Sequence, residues 1–149
     1  ADVDAAAMSN TIGRTTLVVP PAAIDVNGHV NNVQYVQWMQ EAAMAHSASL
    51  GWPTERYLAL GRTWIIRSHT IEYYHSAYVG ETIEVLTWVA DFHKIRSQRK
   101  YKFIRPADQT VLASAATVFI FCDLATGRPV SIPAEVQQAY AVIAPADEP

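Results

Sequence analysis

The spacing of apolar and polar residues changes twice along this chain. Residues 14–19, RTTLVV, read as a strand that Pro20-Pro21 closes off. From 31 to 50 the period becomes helical. Val36, Met39, Ala42, Ala43, His46 and Leu50 recur at helical spacing with Tyr35 beside them, while Gln34, Gln37, Gln40 and Glu41 lie mostly off that stripe. This predicts a helix of about 19 residues, near 28 Å at 1.5 Å per residue, stopped by Gly51 and then Pro53. Its small residues Ala42, Ala43, Ala45 and Ala48 would let another layer approach the backbone closely.

After a link at 52–61 the pattern becomes a series of strands. Residues 62–76 are rich in β-branched and aromatic side chains, and Val79-Gly80-Glu81 offers a turn. In 82–92, Ile83, Val85, Thr87 and Val89 share one face, and Leu86 and Trp88 share the other. His93-Lys94 reads as a connection, and the segments 96–105 and 110–123 flank the turn signal Pro106-Ala107-Asp108. The last of these strands is apolar on both faces, so it should be central and covered. A turn at 123–127 follows, and Pro133 suits the first turn of a short C-terminal helix. One strand, one long helix and four strands with short connections give antiparallel pairing and an α+β two-layer domain. A single helix covers such a sheet incompletely, so a homodimer is the expected completion, with a tetramer of two such dimers left open.

Composition narrows the class. The 149 residues suit one domain, with 50% apolar and 17% charged residues, as in ordinary globular chains. No apolar run approaches the ~18 residues of a membrane span. Residues 1–8, ADVDAAAM, lack the basic start and apolar core of a secretion signal. We expect a disordered leader at 1–11 (with Met8 a candidate natural start), one domain at 12–142 and a flexible tail at 143–149. A net charge of −3 argues against a nucleic-acid partner. The lone Cys122 excludes an internal disulfide and makes the cytoplasm the expected location.

Just before the helix stands the run D-V-N-G-H-V-N-N-V-Q-Y, Asp25 to Tyr35, followed by Trp38 and Glu41. It resembles the signature of hotdog-fold thioesterases, in particular the 4-hydroxybenzoyl-CoA thioesterase group and the acyl-carrier-protein thioesterases. The resemblance implies a long helix wrapped by an antiparallel sheet, obligate dimers with active sites at the subunit interface, and hydrolysis of acyl thioesters. In the acyl-carrier-protein branch, catalytic roles fall on the first three polar residues of the motif, which carry over to Asp25, Asn27 and His29. A further Glu on the strand after the helix carries over to Glu72 in "TIEYYHSAY", although Tyr74 stands where that pattern has a basic residue.

The residues themselves are compatible with that chemistry. Thioester hydrolysis needs a nucleophile or base, a polarised carbonyl and an ordered water. Asp25 is the only carboxylate between Asp4 and Glu41, and it can attack the carbonyl carbon or deprotonate water. Backbone N–H groups near Val30, Asn31, Asn32 and Val33 sit at the positive end of the helix dipole, each well-aimed donor being worth roughly 3 kcal/mol. Neither a metal nor a cofactor is needed. Each residue also has a structural alternative. Asp or Asn ahead of a helix is often a cap worth ~1 kcal/mol; Asn31 and Asn32 suit the turn and the helix start, and Glu72 suits a solvated strand face. His46, Tyr35 and Trp38 read as packing residues, and Glu41 as a brace.

Six of the eleven basic residues fall in 94–105. Arg96, Arg99 and Lys100 are candidates for binding CoA phosphates or an acidic carrier protein, set against an ordinary solvated face. In a strand, Arg96, Lys100 and Lys102 share one side, and Arg99 projects with Tyr101 and Phe103. No G-x-S-x-G elbow, phosphate loop or metal-ligand spacing is present. Two rivals stay open. A hotdog hydratase resembles D-x-N-P-x-H, but here the Asp-to-His interval is one residue shorter and Gly28 stands where the Pro would be; the other rival is a non-catalytic acyl-CoA-binding protein. Trp64, Tyr73, Tyr78 and Phe92 are candidates for an acyl pocket or for core, and the chain length of the acyl group is not legible.

Overall fold

The computed structural model describes residues 12–149; the expected leader at 1–11 lies outside the described residues. Strand β1, Gly13–Val18, alternates buried and outward positions and ends at the two prolines. The long helix α1 spans Asn32–Ser49, and Tyr35, Trp38, Met39, Ala42, Ala43 and His46 are its buried side. That face matches the expected stripe, with Tyr35 and Trp38 drawn into it and Val36 and Leu50 half-buried at its margins. Ala42 and Ala43 lie where the backbone meets the sheet, as their small size requires. Gly51 ends the helix in a left-handed conformation, φ +88°, that a side chain would oppose.

A short helix α2, Thr54–Ala59, fills the stretch read as a link. The remaining strands are β2, Arg62–Tyr73, β3, Thr82–His93, β4, Arg96–Arg105, and β5, Thr110–Asp123. Strand β2 stops three residues short of the expected 76, because the N–H groups of Tyr74 and His75 both turn to the Leu112 carbonyl. Pro133 caps helix α3, Ala134–Ala139, from just outside it rather than from within its first turn.

All pairings are antiparallel, in the order β1-β3-β4-β5-β2, which leaves β2 as one edge of the sheet. The core divides along α1. Towards its N-terminal half, Tyr35, Trp38 and Met39 pack on Leu17, Ile83, Val85, Phe103 and Leu112. Towards its C-terminal end, Trp52, Tyr57, Phe121, Val136 and Tyr140 form an aromatic cluster. The outer face of the sheet is partly covered by the segment after α3. Ile143 packs on Leu86 and Trp88, its N–H bonds the Val89 carbonyl at 3.0 Å, and Glu148 meets Lys100 at 2.8 Å. These contacts fall within 143–149, the segment expected as a tail.

Two surfaces stay open. Edge strand β2 exposes Ile65, Ile66 and Tyr73, and α1 exposes Val33 and Met44. Exposed apolar side chains beside an unpaired strand edge are features that favour association in general.

Candidate active site

The polar run before α1 folds into one tight turn. Ile24 and Val30 form an isolated antiparallel bridge. Inside it the Asp25 N–H donates to the His29 carbonyl at 2.9 Å, and the Gly28 N–H donates to the Asp25 carbonyl at 3.1 Å. Gly28 takes φ +82°, which is why a glycine stands in the middle of the motif. The turn is tied on both sides, by the Val30 N–H to Ala77 and by the Asn31 N–H to Ala23, each at 2.8 Å. The side chains of Asp25, Asn27 and His29 are therefore displayed on a braced loop rather than spent in the helix.

Asn31 is the N-cap: its Oδ1 accepts from the Val33 N–H at 2.9 Å. Asp25 is thus released from capping α1. Its Oδ1 accepts from the Asn27 N–H at 2.9 Å; among the described residues its Oδ2 accepts no hydrogen bond and has His29 Nδ1 at 3.9 Å. The side chains are partly open, 20% for Asp25 and 32% for His29. His29 Nδ1 lies 3.3 Å from the Val30 carbonyl, an acceptor only, so Nδ1 carries a proton, and in the neutral ring Nε2 presents a lone pair. The Asn27 side chain is exposed.

The helix start supplies fewer donors than the sequence suggested. Of the N–H groups of Val30, Asn31, Asn32 and Val33, three are already bonded, to Ala77, to Ala23 and to the cap oxygen. The one left over is that of Asn32. Its carbonyl is held from the other side by the Tyr73 hydroxyl at 3.0 Å. Tyr73 also meets Tyr35 edge to face at 5.2 Å, and burial pushes the phenol of Tyr35 up to about 12 and that of Tyr73 upward. Sequence reading considered Tyr73 for an acyl pocket; its place at the helix start follows from a register no local pattern reveals.

Glu72 does not join this turn. Ile71 and Tyr73 face the core and α1, so the pleat sends Glu72 to the opposite face, where Tyr74 donates to it at 3.2 Å. The basic run also separates. Arg96 is exposed, Lys100 is ion-paired with Glu148, and Arg99 is 5% exposed and faces inward. Arg99 is therefore no member of a phosphate-binding surface.

Inside the sheet lies a cavity of about 330 Å³. It is walled by Ala43, Met44 and Ser47 of α1 and by Trp64 and His69 of β2, with Arg99 on β4. Trp64 and Phe92 from the candidate pocket set line it, whereas Tyr78 lies on the surface. Burial lowers the His69 imidazole below its ordinary range, and its Nδ1 sits 2.7 Å from the Thr117 hydroxyl. The cavity begins at Gln40, eight residues and about 12 Å along α1 from Asn32. Asp25 and the cavity of one chain are therefore at different ends of the helix. Among the described residues no cluster of His, Cys, Asp or Glu could hold a metal ion, and no helix is long and apolar enough to cross a membrane.

Residues 19–140 match the model of the thioesterase-like superfamily. A comparison with curated proteins gives no match. Solved structures of similar fold include the 1,4-dihydroxy-2-naphthoyl-CoA thioesterase of Synechocystis, at TM-score 0.80 and 19% identity over 86% of this chain and 94% of that one. The DHNA-CoA thioesterase of Staphylococcus aureus gives 0.79 and 20% over 86% and 87%. An acyl-ACP thioesterase of Bacteroides thetaiotaomicron gives 0.81 and 22% over 95% of this chain, which spans 59% of that protein. At such identities the likeness is one of fold: a five-stranded antiparallel sheet around a long helix, the hotdog arrangement expected from the motif.

Proposed function

The chain belongs to the thioesterase-like superfamily and is a thioester hydrolase, and we propose that it cleaves acyl-CoA or acyl-carrier-protein thioesters at the turn that carries Asp25. One observation carries this reading: Asp25 keeps an unbonded, partly open carboxylate oxygen on a loop that leads directly into a helix start with one free N–H.

The chemistry follows from those groups. The Asn32 N–H, at the positive end of α1, donates to the thioester carbonyl and stabilises the negative charge that grows on its oxygen. Asp25 Oδ2 then acts as nucleophile or as general base. As nucleophile it bonds the carbonyl carbon, the C–S bond breaks, and water hydrolyses the resulting anhydride. As base it takes a proton from water while that water bonds the same carbon. The thiolate leaves unaided, since a thiol with a pKa of about 8.5 is a good leaving group. The Nε2 lone pair of His29 and the amide of Asn27 hold the water. Both stand on the same loop as Asp25, and among the described residues neither is committed elsewhere through those atoms.

The working unit in this reading is a homodimer. A two-fold axis joining two β2 edges antiparallel also reverses α1, which sets the N-terminus of one helix beside the C-terminal half of the other. Asp25 of one copy then faces the cavity of its partner, which the 12 Å offset along α1 denies it within one chain. The exposed Ile65, Ile66, Val33 and Met44 lie on the surfaces this pairing would bury.

The test is thiol release. Acyl-CoA and acyl-carrier-protein substrates should give steady free thiol, with no change in enoyl absorbance. Hydration without thiol release would make the chain a hydratase, and binding without turnover would make it a binding module.

A further inference from the structure

Arg99 is an anomaly inside the cavity. It is 5% exposed, yet no Asp or Glu is among the residues that line the space it faces, and among the described residues it has no ion pair. Its hydrogen bonds go to neutral groups. Nη1 donates to Thr87 Oγ1 and to His46 Nδ1, each at 3.1 Å, and Nη2 reaches Ser47 Oγ only at 3.4 Å. Because a guanidinium can only donate, His46 must accept at Nδ1, which fixes its proton on Nε2 and its ring as neutral. Thus Nε and the second Nη2 proton are uncommitted. A guanidinium carries five donors in a planar fork suited to carboxylate oxygens.

This cation is built in rather than stranded. Gly13 of β1 lies against His46 so closely that a Cβ there would stand 2.8 Å from the ring. The ring, itself fully buried, in turn positions Nη1. On the other flank Tyr140 donates to Ser47 at 2.8 Å and meets Tyr57 at 3.2 Å, closing a polar floor around Arg99. The walls above are aromatic, from Trp52, Tyr57, Trp64 and Phe119. A buried charge held by neutral partners is costly unless an opposite charge arrives.

We propose that Arg99 receives a carboxylate at the far end of the acyl group, making the preferred substrate the thioester of a short dicarboxylic acid. The proposal rests on the hydrolase reading and deepens it, since the cavity takes the acyl chain while the thioester carbon stays at the partner's Asp25 turn. A volume of about 330 Å³ lies at the small end of ligand pockets, which suits a short chain or one ring.

The experiment compares isosteric thioesters. Glutaryl-CoA and 5-methylhexanoyl-CoA differ only in a terminal carboxylate against an isopropyl group; 4-carboxybenzoyl-CoA and 4-isopropylbenzoyl-CoA repeat the pair on a ring and show which frame the aromatic walls accept. At least one carboxylate-ended member should exceed its neutral partner by about 10- to 100-fold in kcat/KM, the worth of a hydrogen bond to a charged group. Arg99→Gln should bring that ratio near one, with a thermal melt to verify folding. Neutral members preferred by the wild type, or a ratio that survives Arg99→Gln, would overturn the proposal. If no thioester is cleaved, the hydrolase reading fails by itself. Quenching of Trp52 and Trp64 fluorescence by non-hydrolysable CoA thioethers bearing the same chains then decides the inference: tighter binding of the carboxylate-ended member supports it, and equal binding refutes it.

Discussion

Tyr73, the last residue of β2, donates its hydroxyl to the carbonyl of Asn32, the first residue of α1, at 3.0 Å. The edge strand and the helix start are thereby locked together at the point where the free N–H of Asn32 is presented. Tyr73→Phe keeps the ring against Tyr35 and removes only this bond. Stability should fall by about 1 kcal/mol, the net worth of a hydrogen bond, while kcat drops more than KM changes, because the lost interaction aims a donor used at the transition state. Steady-state kinetics beside a denaturant melt checks this; an unchanged kcat would remove Tyr73 from the site.

Asn31 caps α1 through a 2.9 Å bond from the Val33 N–H. Asn31→Ala should cost about 1 kcal/mol, lowering Tm by roughly 2–4 °C for a chain of this size. Asn31→Asp should retain the cap and stay near wild-type stability. Calorimetry on both variants separates a cap from a catalytic group.

Gly13 leaves no room for a methyl group over His46. Gly13→Ala should destabilise the fold by about 1–3 kcal/mol through overpacking and tilt the ring that holds Arg99. A melt shows the first effect. The second shows as a loss of any discrimination by the cavity between carboxylate-ended and neutral acyl groups.

Burial holds the His69 imidazole below its ordinary pKa, so the unfolded state binds the proton first as the pH falls. The stability this neutral ring contributes is complete above the unfolded value of about 6.5. It is lost as the pH drops from there through the lower folded value. An NMR titration should find the His69 midpoint below 6.5, and His69→Gln should flatten stability over that interval.

Much of this architecture was legible in residue spacing. Val36, Met39 and Ala43 announced the helix, and the alternation around Val85 and Thr87 announced β3, because both periods report directly on which face meets the core. Helix α2 was not legible, since six residues make fewer than two turns and show no period. Alternation also put Arg99 on one face with Tyr101 and Phe103, but no local pattern could show that this face is buried there or that Arg99 would meet His46 and Thr87 instead of a carboxylate. Glu72 shows what a letter match leaves out. A matching letter in "TIEYYHSAY" suggested a catalytic acid, and the pleat puts it on the other side of the sheet. Likewise four N–H groups looked available at the helix start, until the Asn31 cap and the bonds to Ala23 and Ala77 left one.

The central claim is that the unbonded oxygen of Asp25 drives thioester cleavage, and Asp25→Asn tests it most directly. The amide keeps the shape of the turn and can still accept from the Asn27 N–H, so the melting temperature should stay close to that of the wild type. Thiol release from the best acyl thioester should fall by about 10²–10⁴-fold in kcat, the range for losing a positioned base or nucleophile. A folded Asp25→Asn protein that turns over at a near-normal rate would contradict the account.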